Sequence, residues 1–289
     1  MLKDYFNNEI KNNQSKVKKI GEVFLFERLK DSIKGNDGLA YEYHGKRGMV
    51  SFKINKNQLK CEIADLLLIF IRGNQLRYTF LQNKYSRKRP DDNNIANMNS
   101  VQHYLLSERP HLISTPKGIP NNILQDAILP GVGSYGNFSY DSKTKKYDMV
   151  YFTAKTLKRK SKAVTKYSSK SNYTYFNSMT DSNWHCCING SEECVHCSDL
   201  NEFEKKYNDM FIGTPVYLDS KETNNIAEIE YLFHAIHYCM KKNDNNTSAI
   251  NKIKPIYLEI KEKYHFQDDD SFDPKFSVAI KIISDKNKH

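Results

Sequence analysis

Apolar residues in this chain come in short runs separated by polar, Lys- and Asn-rich stretches, and one run stands apart. "LLLIFI" (66–71) is uninterrupted, and after "RGN" it is followed by the alternating "QLRYTFLQNK" (75–84). Two such runs around a Gly-Asn pair predict a β-hairpin. Gly accepts positive φ at the first central position of a type II′ turn, which centres the turn on Gly73 and Asn74. That register sets Asp65 opposite Gln82 and Ile63 opposite Lys84. Cross-strand partners share a face, so one face carries Asp65, Gln82 and Lys84 beside Leu67, Tyr78 and Phe80. A slip of one residue would separate them.

Elsewhere, Ile20, Val23, Phe24, Leu29 and Ile33 follow helical spacing, stopped by "KGNDG". "LAYEYH" and "GMVSFKI" read as short strands around a "GKRG" turn, and "RKRPDDNN" as a loop. "NIANMNSVQHYLLSERP" predicts a helix ended by Pro110. Pro110, Pro116, Pro120 and Pro130 mark a wrapping segment over 110–137. "YDMVYFTAK" is a strand candidate and "NNIAEIEYLFHAIHYCMKK" a helix, while "KPIYLEIKEK" and "FSVAIKIIS" read as strands around an acidic "DDDSFD" turn. The first dozen residues are polar and expected to fray, and residues 158–182 are expected to form a mobile basic loop. No internal repeat is found.

Composition narrows the class. A hydrophobic content of 39% and an aromatic content of 12% in 289 residues support a real core and exclude wholesale disorder. The net charge of +10 favours a polyanionic partner, nucleic acid above all, although AT-rich coding raises Lys in the same way. The N-terminus lacks an apolar signal core, and no run approaches the roughly 20 apolar residues of a membrane span. These features predict a soluble, cytoplasmic protein with six reduced Cys.

The hairpin grouping has a chemical logic. A carboxylate and an amide oxygen are hard ligands for Mg²⁺ or Mn²⁺, which acidifies a bound water and neutralises phosphate charge. An ammonium beside them stabilises the transition state. Polar residues at strand ends also simply mark where a strand meets solvent, so the pattern alone leaves both readings open.

Asp65 followed by Gln82-Asn83-Lys84 resembles the PD-(D/E)xK, or restriction-endonuclease-like, superfamily in its Gln-for-Glu variant. The helix–sheet–helix order over 20–109 matches that core, and "GEVFLFERL" resembles the opening helix of nuclease domains in CBASS- and Lamassu-type anti-phage effectors. The expected fold is α/β, with a restriction-endonuclease-like core and a basic insertion within 1–180, followed by a Cys-rich and accessory α+β region at 181–289. The resemblance implies a Mg²⁺-dependent endonuclease on double-stranded DNA, governed by regulatory subunits or homo-oligomerisation. Asp65 and Gln82 are then the implied metal ligands with the Asn83 carbonyl, and Lys84 the catalytic lysine. An acidic residue from the first helix is Glu22 or Glu27, with Glu27 at the family's aromatic-Gln position. Ala64 replaces the family's Pro, and Gln82 removes one negative charge. The alternative is a non-catalytic nucleic-acid-binding or zinc-stabilised interaction subunit.

Other motifs carry less. "NWHCCINGSEECVHC" offers Cys187, Cys194 and Cys197, with Cys186, His185 or a distant residue as a fourth ligand for structural zinc; the other reading is a reduced, surface-proximal Cys cluster without metal. His234 and His237 share a helix face and read first as packing. "GVGSYG" (131–136) matches a phosphate-loop pattern, but Pro130 precedes it and no helix follows, so it reads as a flexible turn. From 143 to 170 there are ten Lys or Arg against one acid, Asp148. With "KYSRKRP" after the hairpin, this nominates Arg87, Lys88, Lys158, Arg159 and Lys160 as contacts to a phosphate backbone.

Overall fold

The structure is a computed structural model and describes residues 1–35, 37–43, 48–86, 96–159, 170–175, 185–188, 191–218 and 226–284. Helices α1 (Leu2–Asn13) and α2 (Glu22–Lys34) precede β1 (Gly38–Tyr41), β2 (Met49–Ile54), β3 (Asn57–Glu62), β4 (Leu66–Arg72) and β5 (Gln75–Ser86). A short β6 (Ala96–Asn99) enters α3 (Ser100–Glu108), followed by β7 (Leu112–Ser114), β8 (Gly133–Asp141) and β9 (Lys146–Thr153). Then come β10 (Leu157–Arg159), β11 (Lys170–Tyr175), β12 (His185–Ile188), β13 (Ser191–Cys194) and β14 (His196–Cys197). The chain closes with α4 (Leu200–Asn208), β15 (Thr214–Val216), α5 (Ile226–Lys242), α6 (Thr247–Tyr264) and β16 (Ser277–Ile282).

The main sheet has the order β1-β16-β4-β5-β8-β9-β14, with β15 also on β5. β16 runs parallel to β4 and β5 parallel to β8; the remaining pairs are antiparallel. The protein is therefore a mixed α/β fold with a mixed sheet and, among the described residues, six α-helices. Smaller sheets pair β3-β2-β7, β10-β11-β6 and β12-β13.

The uninterrupted apolar run of β4 reflects burial on both faces. Leu67, Ile69 and Ile71 pack with α3, α5 and α6, while Leu66, Leu68 and Phe70 pack with α1, α2 and α4. β16 lies between β1 and β4, so the sheet draws strands from both sides of the boundary expected near residue 180. Likewise β1 and β2 do not pair as a hairpin: β1 joins β16 and β2 joins β3.

Three local expectations are corrected. The polar first dozen residues form α1, because Leu2, Phe6 and Ile10 recur every fourth position and are buried against the sheet. "KPIYLEIKEK" is the second half of α6 rather than a strand. Ile253, Ile256, Tyr257 and Ile260 are buried at helical spacing, while Leu258, which made the segment alternate, is 39% exposed. The helix tolerates Pro255 within it. "GVGSYG" is not a flexible turn: Gly133–Gly136 belong to β8, a strand inside the sheet. Its glycines serve close packing. A Cβ at Gly133 would come within 2.6 Å of the Leu106 carbonyl oxygen, and one at Gly136 within 2.6 Å of the Met149 sulfur.

Two buried carboxyls burden this core. Burial pushes Glu228, which accepts from the Tyr78 hydroxyl, up to about 7, and it pushes Glu193, which accepts from the Gly131 amide at 2.6 Å, up to about 7. A raised carboxyl pKa favours the fold below the unfolded value of 4.5, and this contribution is lost as pH rises through about 7. Urea denaturation should therefore show stability declining from pH 5 to pH 8. Glu228→Gln, which keeps the acceptor for Tyr78, should flatten that decline and gain up to about 3 kcal/mol over wild type at pH 8. An unchanged pH slope would exclude Glu228 as its source.

Candidate active site

The β4–β5 hairpin has the register the turn predicts, from Arg72 opposite Gln75 to Leu66 opposite Leu81. Gly73 takes φ +53°, the conformation a type II′ turn needs at that position. One step beyond the ladder, the Asp65 amide donates to the Leu81 carbonyl at 3.2 Å. This brings Asp65 to Gln82.

Asp65 is only 4% exposed, and its Oδ2 accepts from Gln82 Nε2 at 2.5 Å and from the Asn83 amide at 2.8 Å. The Asn83 carbonyl oxygen lies 3.4 Å from the same Gln82 nitrogen. On the far side, Gln82 Oε1 accepts from Gln102 Nε2 at 2.5 Å, and that nitrogen also donates to the Glu62 carbonyl at 3.1 Å. Gln102 stands in the first turn of α3, whose start is pinned by Asn99: its side chain accepts from the Val101 and Gln102 amides. Leu105 and Leu106 then seal the helix onto the sheet.

Lys84, two positions beyond Gln82 on β5, pairs with helix α2. Its side chain is 19% exposed, and its Nζ donates to Glu22 Oε1 at 3.1 Å. Glu22 is the first residue of α2, where a carboxylate also complements the helix dipole. Of the two α2 candidates, Glu22 is thus the one that meets Lys84. Glu27 turns instead towards Glu42 and Arg28, and its carboxyl is raised by burial and by the neighbouring Glu42 charge.

The remaining candidates are dispersed. Lys158 is exposed on β10, Arg159 ends that strand, and Arg87, Lys88 and Lys160 lie outside the described residues. Part of the basic segment expected to be a mobile loop is β10 and β11, which pair with each other, β11 also pairing with β6. Cys194 and Cys197 are buried with their sulfurs 3.6 Å apart, and the hydrogen bond from Cys197 helps lower the Cys194 thiol. In the β12–β13 register, Cys186 is opposite Glu193 and Cys187 opposite Glu192. His237 faces Tyr257 at 3.1 Å and Asp270 at 3.5 Å. Among the described residues no three His, Cys, Asp or Glu side chains converge as a metal-holding group.

The donor chemistry around Gln82 still suits a hard divalent cation. The Asp65 carboxylate and the Asn83 carbonyl present oxygens to one point, and the Gln82 amide stands at that point with its nitrogen. Turned over, the amide would add a third oxygen. A cavity of about 830 Å³ lies at the other end of the hairpin, lined by Arg72, Gln75, Arg77, Met210, Phe211 and Tyr217. Its lining excludes Asp65, Gln82 and Lys84. Gln102 escaped the sequence reading, although a Gln three and four residues before Leu105 and Leu106, on the apolar side of a helix, was the available signal.

No family model, curated protein or solved structure matches the chain.

Removing the Asp65 carboxylate leaves the Gln82 and Asn83 donors buried without their acceptor. Asp65→Ala should therefore cost about 1–3 kcal/mol of stability, read by urea denaturation. Asp65→Asn keeps one acceptor oxygen and should cost less. Equal stability of wild type and Asp65→Ala would contradict the buried hydrogen-bond geometry.

Proposed function

We propose that this protein is a metal-dependent endonuclease acting on double-stranded DNA, built on a restriction-endonuclease-like core. The observation that carries the reading is the buried Asp65–Gln82 pair at one end of two paired strands, with Lys84 two residues beyond Gln82 on β5 and bonded to Glu22 of the preceding helix. The sequence order of helix, hairpin and Gln102-bearing helix supports the same reading, as does the net charge of +10.

In this reading Asp65, Gln82 and the Asn83 carbonyl would hold Mg²⁺ or Mn²⁺. Once bound there, the cation would supply an acidified water and neutralise phosphate charge. Lys84 donates to a non-bridging phosphate oxygen and steadies the charge that grows there in the transition state. Glu22 holds the Lys84 ammonium in place before substrate arrives. The same reading makes the protein an effector of bacterial anti-phage defence. A free nuclease would be toxic, so partner subunits or self-association would restrain it.

A second reading has its own support: Gln82 gives its nitrogen, not its oxygen, to Asp65, as in a site that binds nucleic acid without cutting it. Plasmid cleavage with Mg²⁺ separates the two. Lys84→Met should lower the cleavage rate roughly 10²–10³-fold while leaving the fold intact. Asp65→Asn should fall by a similar factor. Cleavage that survives both substitutions, or DNA binding by anisotropy with no metal-dependent cutting under any partner condition, would sink the nuclease reading.

A further inference from the structure

We infer that Gln102 is a positioning residue: it sets the direction of the Gln82 amide, and thereby the affinity of the Asp65 site for a divalent cation. The affinity part rests on the metal-dependent reading above.

Two side-chain amides stand in series between a backbone carbonyl and a carboxylate. The Glu62 carbonyl can only accept, so Gln102 must turn its nitrogen towards it. That nitrogen also faces Gln82, so Gln82 must answer with Oε1. Its own Nε2 is then left for Asp65, which can only accept while ionised. Each amide direction follows from the next, and the chain ends on acceptors at both sides.

A cation at Asp65 needs the opposite arrangement. Turning Gln82 to offer Oε1 would set its Nε2 against the Gln102 nitrogen, donor to donor. Relief requires Gln102 to turn as well, and the Glu62 carbonyl then loses its donor. Asp65 and Gln82 are each 4% exposed and Gln102 7%, so a bond lost here is not simply replaced by bulk solvent. Cation binding is thus coupled to the reversal of two buried amides. A Glu at position 82 would lack this coupling, because its two oxygens are equivalent.

The substitutions separate direction from charge. Gln102→Met has similar length, no charge and no donor. The loss at Glu62 is then common to the free and bound states and drops out of the binding equilibrium. Mn²⁺ affinity measured by titration calorimetry on the full chain should rise about three- to tenfold, the equivalent of one neutral hydrogen bond. Gln102→Glu replaces the donor by an acceptor and should raise affinity tenfold or more. Without any metal, hydrogen exchange of the Gln82 side-chain amide, followed by NMR, should be at least tenfold faster in Gln102→Met than in wild type.

Unchanged Mn²⁺ affinity in Gln102→Met, in a variant that unfolds cooperatively, overturns the inference; a rise in Gln102→Glu alone reports added charge only and overturns it as well. Gln82→Glu is the control for the underlying reading. Mn²⁺ binding by Gln82→Glu with Gln102 variants equal to wild type rejects the role of Gln102 but leaves the metal site standing. No Mn²⁺ binding by any variant, Gln82→Glu included, rejects the metal reading and the affinity claim together. Unchanged amide exchange in Gln102→Met then rejects the directional role on its own.

Discussion

The hairpin register is the constraint on which the rest of the molecule hangs. In a half-buried strand the apolar pattern itself specifies register, because a one-residue slip exposes the core face. β4 has no such safeguard: Leu66 to Ile71 are apolar at every position, and both faces are buried. A slipped β4 would still present Leu and Ile to both layers. Register must therefore come from the ends. At one end Gly73 supplies the positive φ of a two-residue turn. At the other, Asp65 accepts from Gln82 and from the Asn83 amide, bonds that only one alignment permits. The candidate site residues thus pin the strand pair as well as offering chemistry.

That double role explains the character of the site. Asp65 is a buried carboxylate, and burial is tolerable because two donors meet the same oxygen. A second carboxylate in place of Gln82 would stand within hydrogen-bond reach of Asp65 in the same dry position, and one of the two would have to hold a proton or a cation. Gln82 removes that conflict by bringing a donor. Without a cation the Asp65 carboxylate and the Gln82 amide thus meet each other's needs, at the expense of charge that would attract a metal. Lys84 and Glu22 form the wetter half of the cluster, at 19% and 40% exposure, and their ion pair adds little stability by itself.

What the sequence disclosed, and what it hid, follows the range of the interactions involved. The turn at Gly73–Asn74 and the strand alternation beyond it are local, so the pairing of Asp65 with Gln82 was legible. The helix over 226–242 was legible for the same reason: its apolar period persists for several turns. Short or diluted patterns misled. Leu2, Phe6 and Ile10 are too few among polar neighbours to announce α1, and the chance alternation of Ile256, Leu258 and Ile260 mimicked a strand within α6. The insertion of β16 between β1 and β4 joins segments more than two hundred residues apart and leaves no local trace. The same holds for Gln102, whose partners Glu62 and Gln82 are 40 and 20 positions away. The glycines of 131–136 were visible, but their reason was not: the neighbours that forbid a side chain, Leu106 and Met149, come from other elements.

The two ends of the hairpin also differ in what they could attract. At the turn end, the large cavity sets Arg72 and Arg77 against Glu192 and Asp209, and the Arg77 guanidinium is already spent on the Met210 and Glu192 carbonyls. Such a balanced wall offers a polyanion little net field, however roomy it is. At the opposite end, Lys84 is the one lysine of β5, and the sequence continues through Tyr85 and Ser86 into Arg87, Lys88 and Arg89. Cavity size and chemistry therefore point to different places in this protein. For a substrate whose main feature is a line of phosphates, charge decides over volume. Under the proposed nuclease reading the Lys84 end of the strand pair, rather than the cavity, is the end that meets phosphate, and it is also where Asp65, Gln82 and Gln102 form their buried chain.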